Sequence, residues 1–157
     1  MERLMQYCNN YFERTSEYGK YTVSRTGNAI EAVRGRYCAG QYIRIMDSFF
    51  NDGVYKIKQV KGNMLILDKQ LSDEVFNGYV VGLAVPSLFI DLAQKVNAYD
   101  TKASKHAGVA SESIPNYSVT FDSRNKSGVD YYSVAVANYK KPPMPRFYFL
   151  KRVIIYE

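Results

Sequence analysis

Asn51-Asp52-Gly53-Val54-Tyr55-Lys56-Ile57-Lys58-Gln59-Val60-Lys61-Gly62-Asn63-Met64-Leu65-Ile66-Leu67 is the stretch that decides the fold. Two turn-forming clusters, Asn51-Asp52-Gly53 and Lys61-Gly62-Asn63, bracket a run in which Val54, Lys56, Lys58 and Val60 alternate with Tyr55, Ile57 and Gln59. Asn, Asp and Gly accept positive φ at low cost, so each cluster reverses the chain. The period of two between them is that of a strand, with apolar residues on both sides at its ends. Outward from this hairpin, short runs rich in Val, Ile and Tyr predict strands at Tyr21 to Arg25, Ala29 to Val33, Tyr42 to Met46, Gly53 to Val60, Met64 to Leu67 and Tyr79 to Ala84. Short antiparallel strands in such number, between residues 20 and 85, close into a small barrel or curled sheet.

Helical periodicity flanks this region on both sides. Leu4, Tyr7, Cys8 and Tyr11 recur at i, i+3, i+4, i+7, which predicts a helix over Glu2 to Phe12, the body of an N-terminal helical part assigned to 1–19. Pro86 opens a second helix that runs to about Ser104, with Leu88, Leu92, Val96 and Tyr99 in one stripe that Phe89 and Ala93 widen. A third, Val129 to Tyr139, offers Tyr132, Val136 and Tyr139, with Ala135 permitting close approach. The fold class is therefore α+β: a small antiparallel β-barrel-like subdomain (20–85) inserted ahead of a short helical bundle (86–141), all in one domain over 1–141, with an extended C-terminal arm over 142–157.

At 157 residues, 46% of them hydrophobic and 23% charged, the chain has the composition of a folded protein with one core. Fifteen Tyr and no Trp favour wide contacts that tolerate water. The net charge of +6 attracts polyanions, but the positive residues are spread among Arg34/Arg36, Lys56/Lys58/Lys61 and Lys140/Lys141/Arg146/Lys151/Arg152 instead of forming a single stripe. Cys8 and Cys38 cannot make a disulfide scaffold or metal site and read as reduced thiols of a cytoplasmic protein. The N-terminus lacks the apolar region of a signal peptide, and no segment has the apolar length of a membrane span.

Catalytic signatures are missing. His106 is the single histidine and sits at an expected helix end, where imidazoles cap carbonyls. Asp47, Asp52, Asp68, Asp73, Glu74 and Asp91 have no metal-ligand spacing. No phosphate-cradling glycine loop and no nucleophile elbow occurs, so neither enzyme activity nor a cofactor is expected. Ser111-Glu112-Ser113, with Tyr117, reads first as a polar loop or cap and second as an inter-subunit contact. Asn51-Asp52-Gly53 reads first as a turn and second as a recognition tip.

The C-terminus carries the strongest functional signal. After Pro142-Pro143-Met144-Pro145 comes Arg146-Phe147-Tyr148-Phe149-Leu150-Lys151-Arg152-Val153-Ile154-Ile155-Tyr156-Glu157, an apolar and aromatic run where chain ends are normally polar. Left exposed it is an aggregation hazard, so it calls for a partner surface. Fully extended, at ~3.3 Å per residue, it reaches about 50 Å. It has the chemistry to add a strand to a neighbouring sheet, with Phe147, Phe149, Val153 and Ile155 on one side and Tyr148, Leu150, Ile154 and Tyr156 on the other. The alternative is that it pairs within its own chain and completes the sheet.

Three words in order give the chain a likeness over residues 40–140: Phe50-Asn51-Asp52-Gly53-Val54-Tyr55-Lys56-Ile57, the helix opening Pro86-Ser87-Leu88, and Val109-Ala110-Ser111-Glu112-Ser113-Ile114-Pro115-Asn116-Tyr117-Ser118-Val119-Thr120-Phe121 followed by a short helix ending Tyr139-Lys140-Lys141. It resembles the head-tail connector (head completion, adaptor) proteins of tailed bacteriophages and prophages. Pro115 stands where that family has glycine and Asn116 where it commonly has aspartate. The resemblance implies a non-enzymatic virion subunit, assembled in the bacterial host cytoplasm. Such a subunit belongs to a homo-oligomeric, typically dodecameric, ring that touches the portal protein and the tail terminator or another neck protein. DNA passes through the ring without sequence-specific binding, which makes Lys56, Lys58 and Lys61 candidate DNA-facing residues. The competing reading is a small β-barrel nucleic-acid-binding module, because Tyr55-Lys56-Ile57-Lys58 interleaves a stacking ring with basic flanks.

Overall fold

The computed structural model describes residues 1–23, 28–31, 33–105, 111–114, 117–120 and 127–142, and for 103–105, 111–114 and 117–120 the backbone alone. In chain order the elements are α1 (Glu2–Tyr7), β1 (Glu13–Val23), β2 (Ala29–Glu31), β3 (Tyr42–Met46), β4 (Gly53–Lys61), β5 (Met64–Leu67), β6 (Val75–Leu83), α2 (Ser87–Lys105), β7 (Ser111–Ile114), β8 (Tyr117–Thr120), α3 (Gly128–Tyr131) and α4 (Ser133–Ala137). Strands β1 to β6 form a closed barrel in the order β1-β2-β5-β4-β3-β6, and every neighbouring pair is antiparallel. The α+β class with a barrel-like subdomain is thus observed. The arm expected over 142–157 lies outside the described residues from Pro143 onward, as do His106 and Pro115-Asn116.

β6 is the spine of the barrel. On one side it pairs with β1 from Glu13↔Leu83 to Thr22↔Val75, and on the other with β3 from Tyr42↔Leu83 to Met46↔Tyr79. Gly78 is fixed by this packing, since a Cβ there would run into the Met46 carbonyl. β4 and β5 join through a two-residue turn whose Gly62 has φ 57°, as the Lys61-Gly62-Asn63 cluster predicts. The other expected turn works differently. The chain reverses over Asp47 to Asp52, positive φ falls on Asp47 (65°) as well as on Gly53 (154°), and Asn51 and Asp52 contribute hydrogen-bonding side chains.

Two apolar cores lie on either side of the barrel wall. The inner core includes Tyr21, Val23, Ile30, Ile43, Ile45, Tyr55, Ile57, Leu65, Leu67, Phe76 and Val80, all buried. The outer core joins Val54, Val81 and Leu83 on the outside of the barrel to Leu4, Met5 and Cys8 of the N-terminal segment, Phe89, Leu92, Ala93 and Val96 of α2, Val129 of α3 and Val136 of α4. This explains why β4 carries apolar residues at both parities: Val54 faces the helices, while Tyr55 and Ile57 face the barrel interior.

Several expectations are corrected. The N-terminal helix ends at Tyr7, not Phe12, and segment 1–19 is not helical throughout, because β1 begins at Glu13. Asn9 (φ 49°) and Phe12 (φ 56°) turn the chain, and Asn10 fixes the turn by donating from Nδ2 to the Tyr139 carbonyl at 3.0 Å. Within α2, Leu88 is exposed while Phe89, Leu92, Ala93 and Val96 are buried. The expected Val129 to Tyr139 helix is two short helices that break at Tyr132 (φ −95°, ψ 24°), the first opened by a reciprocal Ser127/Asp130 capping box. Ala135 faces solvent instead of a neighbouring helix.

Candidate interaction surface

The loop between β3 and β4 presents two adjacent phenylalanines to solvent, Phe49 at 85% and Phe50 at 63% exposure. Their rings meet edge to face with centroids 4.7 Å apart. A loose apolar loop would fold these rings onto the barrel, and a dense hydrogen-bond network prevents it. The Glu74 carboxylate accepts from Ser48 Oγ (2.6 Å), Phe49 N (2.7 Å), Phe50 N (3.2 Å) and Asn51 Nδ2 (2.9 Å). Asp52 Oδ1 accepts from Ser48 N at 2.8 Å, and Ser48 Oγ from Asn51 N at 2.8 Å.

Asn51, 1% exposed, holds the loop to its neighbours. Its side-chain amide donates to the Ser72 carbonyl and accepts from Ser72 N, while the Tyr55 hydroxyl donates to the Asn51 carbonyl at 2.9 Å from a ring that belongs to the inner core. Glu74 is itself anchored, because its carbonyl accepts from Val23 N of β1. Desolvation pushes the Glu74 carboxyl upward, but the donors on Ser48, Phe49, Phe50 and Asn51 outweigh it and hold the group below its usual range. The carboxylate is a clamp for backbone amides, and with its oxygens so engaged it is poorly placed to move protons.

Further apolar surface lies along the outside of the β1–β6 pair. Val75, next in chain to Glu74, is exposed, and Tyr18 pairs across the strands with Tyr79, ring centroids 5.0 Å apart. Exposed aromatic and apolar groups on a rigid frame are the composition of a protein-contact surface. Elsewhere a shallow groove runs between Thr15 to Tyr18 and Arg34 to Tyr37, and Glu17 bridges it by accepting from the backbone N–H groups of Arg34 and Gly35 at 2.8 and 2.6 Å.

The structure separates the residues that the sequence singles out. Lys56, Lys58 and Lys61 all lie exposed on β4, Lys56 near the Tyr42 ring. Tyr55 packs in the barrel interior, so it cannot stack a base beside Lys56 and Lys58. Ser111, Glu112, Ser113 and Tyr117 fall on β7 and β8, a two-stranded ribbon in register Ser111↔Thr120 to Ile114↔Tyr117, where a loop is expected from sequence. The arm residues Arg146, Phe147, Tyr148, Phe149, Leu150, Val153, Ile154, Ile155 and Tyr156 lie outside the described residues. Phe49 and Phe50 escape sequence reasoning as site residues, although a pair of phenylalanines set among Asp47, Ser48, Asn51, Asp52 and Gly53 is their visible mark.

Among the described residues no cluster of three His, Cys, Asp or Glu could hold a metal ion, and no helix is long and apolar enough to cross a membrane. Comparison of the chain with protein-family models, with curated proteins and with solved structures gives no match.

Proposed function

We propose that this chain is a structural assembly protein, a subunit of a ring at the head-tail junction of a tailed-phage virion, where it joins the portal to the tail or neck and leaves a passage for DNA. The observation that carries the reading is the clamped β3–β4 loop, which holds Phe49 and Phe50 in solvent while Phe76 and Phe89 of the same chain are buried. Preorganised aromatic groups bind with little ordering cost, and they serve a protein whose work is contact. The first two words of the connector resemblance fall on this loop and β4 and on the opening of α2, and the described residues of the third on the β7–β8 ribbon.

The C-terminal arm supplies the second contact. In this reading it leaves the body after Pro142, whose carbonyl accepts from Asn9 Nδ2, and docks on the portal or a neighbouring copy by strand addition. The barrel offers such an edge: β1 pairs with β2 only at Thr22 and Val23, so Glu13 to Tyr21 has no strand partner, among the described residues, on the side away from β6, where the Glu17 carboxylate reaches the Arg34 and Gly35 amides. The +6 net charge, with Lys56, Lys58 and Lys61 exposed, suits a non-specific passage for DNA.

The test is native mass measurement and electron microscopy of the purified chain with and without a portal ring. The full chain is expected to form rings or to decorate the portal. A chain ending at Lys141 is expected to keep its fold and lose portal docking. Undiminished docking by that truncation defeats the arm, and a full chain that stays monomeric beside portal rings defeats the whole reading.

A further inference from the structure

The Phe49–Phe50 tip has a charge as well as a shape. Asp47, Asp52 and Asp73 are exposed around it and Glu74 clamps it; neither 45–54 nor 70–80 contains a Lys or Arg, and Lys69, just outside, donates from its ammonium to the Val54 carbonyl at 2.9 Å. In a chain of net charge +6, an apolar tip ringed by carboxylates is electrostatically complementary to much of the chain's own remaining surface. It is not complementary to itself, because two tips face to face would oppose their carboxylates.

A matching surface exists where the two ends of the described chain meet. The segment after α1 and the one after α4 are joined at Cys8, whose Sγ lies 3.9 Å from the Val136 carbonyl and whose own carbonyl accepts from Lys141 N. There Tyr7 is half exposed, and Lys140 Nζ lies 4.3 Å from its ring centroid and 3.2 Å from its hydroxyl. Lys140 and Lys141 are both exposed. This face pairs an open aromatic ring with a cationic edge, the inverse of the tip. The β4 lysines make a poorer match, because Tyr42, the ring near Lys56, packs against the outer core.

We propose that the tip of one copy seats on the α1–α4 face of the next, with Phe49 and Phe50 against Tyr7, and Asp47 and Asp73 facing Lys140 and Lys141. The contact joins two different patches, so it is heterologous, and repetition closes a ring when the rotation allows. It deepens the ring reading above and rests on it.

The experiment uses the full chain. Equal amounts of light- and heavy-isotope-labelled protein are mixed and treated with a zero-length carbodiimide cross-linker, and inter-copy peptides are read by mass spectrometry. Asp47 or Asp73 joined to Lys140 or Lys141 is the expected product. Phe49→Ser with Phe50→Ser should weaken self-association at least about 30-fold in sedimentation, as loss of central aromatic anchors does, while amide exchange of the barrel stays unchanged. Lys140→Glu with Lys141→Glu should weaken it too, and adding Asp73→Lys should restore part of the loss. Rings that survive the double serine variant, or whose tip cross-links go to residues 143–157 or elsewhere, overturn this interface and leave the ring reading standing. A wild-type chain that is monomeric at every concentration overturns both.

Discussion

The two sides of the barrel wall are packed by opposite strategies. The inner core draws alternate residues from neighbouring strands, so closure of the sheet and filling of its interior are one event. The outer core is assembled from distant parts of the chain: the N-terminal segment, the outward residues of β3, β4 and β6, α2, and the helices beyond Ser127. Cys8 and Val136 touch across it with a sequence separation of 128 residues. The difference teaches that the barrel carries its own structural specification, while the helical layer depends on the barrel as a platform.

Three measurements bear on that contrast. Phe89→Ala removes a fully buried ring of the outer core, in edge contact with Phe12 and Tyr139, and should cost about 3–5 kcal/mol. Its signature is early loss of amide protection in α1, α2 and α4 while β3, β4 and β6 stay protected; simultaneous loss everywhere would merge the two cores into one unit. Ile57→Ala, in the inner core, should cost about 2–5 kcal/mol and lower the protection of both layers together, because the helices lose their platform. Protection of the helices that outlasts that of the barrel in this variant would reverse the dependence.

The smallest effect tests whether the tip belongs to neither core. The donors around Glu74 hold its folded carboxyl below the ordinary value of 4.5, so its contribution is whole above pH 4.5 and is lost as pH falls through the lower folded value. Amide resonances of Phe49 and Phe50 should therefore titrate with a midpoint under 4.5, with no change in the melting temperature of the barrel above that pH. Glu74→Gln should abolish the titration, and a midpoint above 4.5 contradicts the clamp.

Much of the barrel is legible from residues alone. β3 and β5 fall where alternation and turn chemistry put them, and β4 extends slightly further, to Lys61. Most of β1 is not legible, because Glu13 to Lys20 is polar and mostly exposed and has no apolar face for a period-two search to find. β6 starts at Val75 instead of Tyr79: Phe76 is an inward residue of the strand, and Asn77-Gly78 interrupts the apolar run ahead of Tyr79. The tip is half legible. Asn51-Asp52-Gly53 announces a reversal, but its partner Glu74 is remote in sequence, and only the fold brings its carboxylate onto the Phe49 and Phe50 amides.

Tyr55 ties one part of this molecule to another. Its ring stands among the packed side chains of the barrel interior and its hydroxyl grips the Asn51 carbonyl at the foot of the tip. The foot of the tip is therefore pinned to a side chain that the barrel interior holds in place, so a change in packing around Tyr55 reaches the loop that carries Phe49 and Phe50.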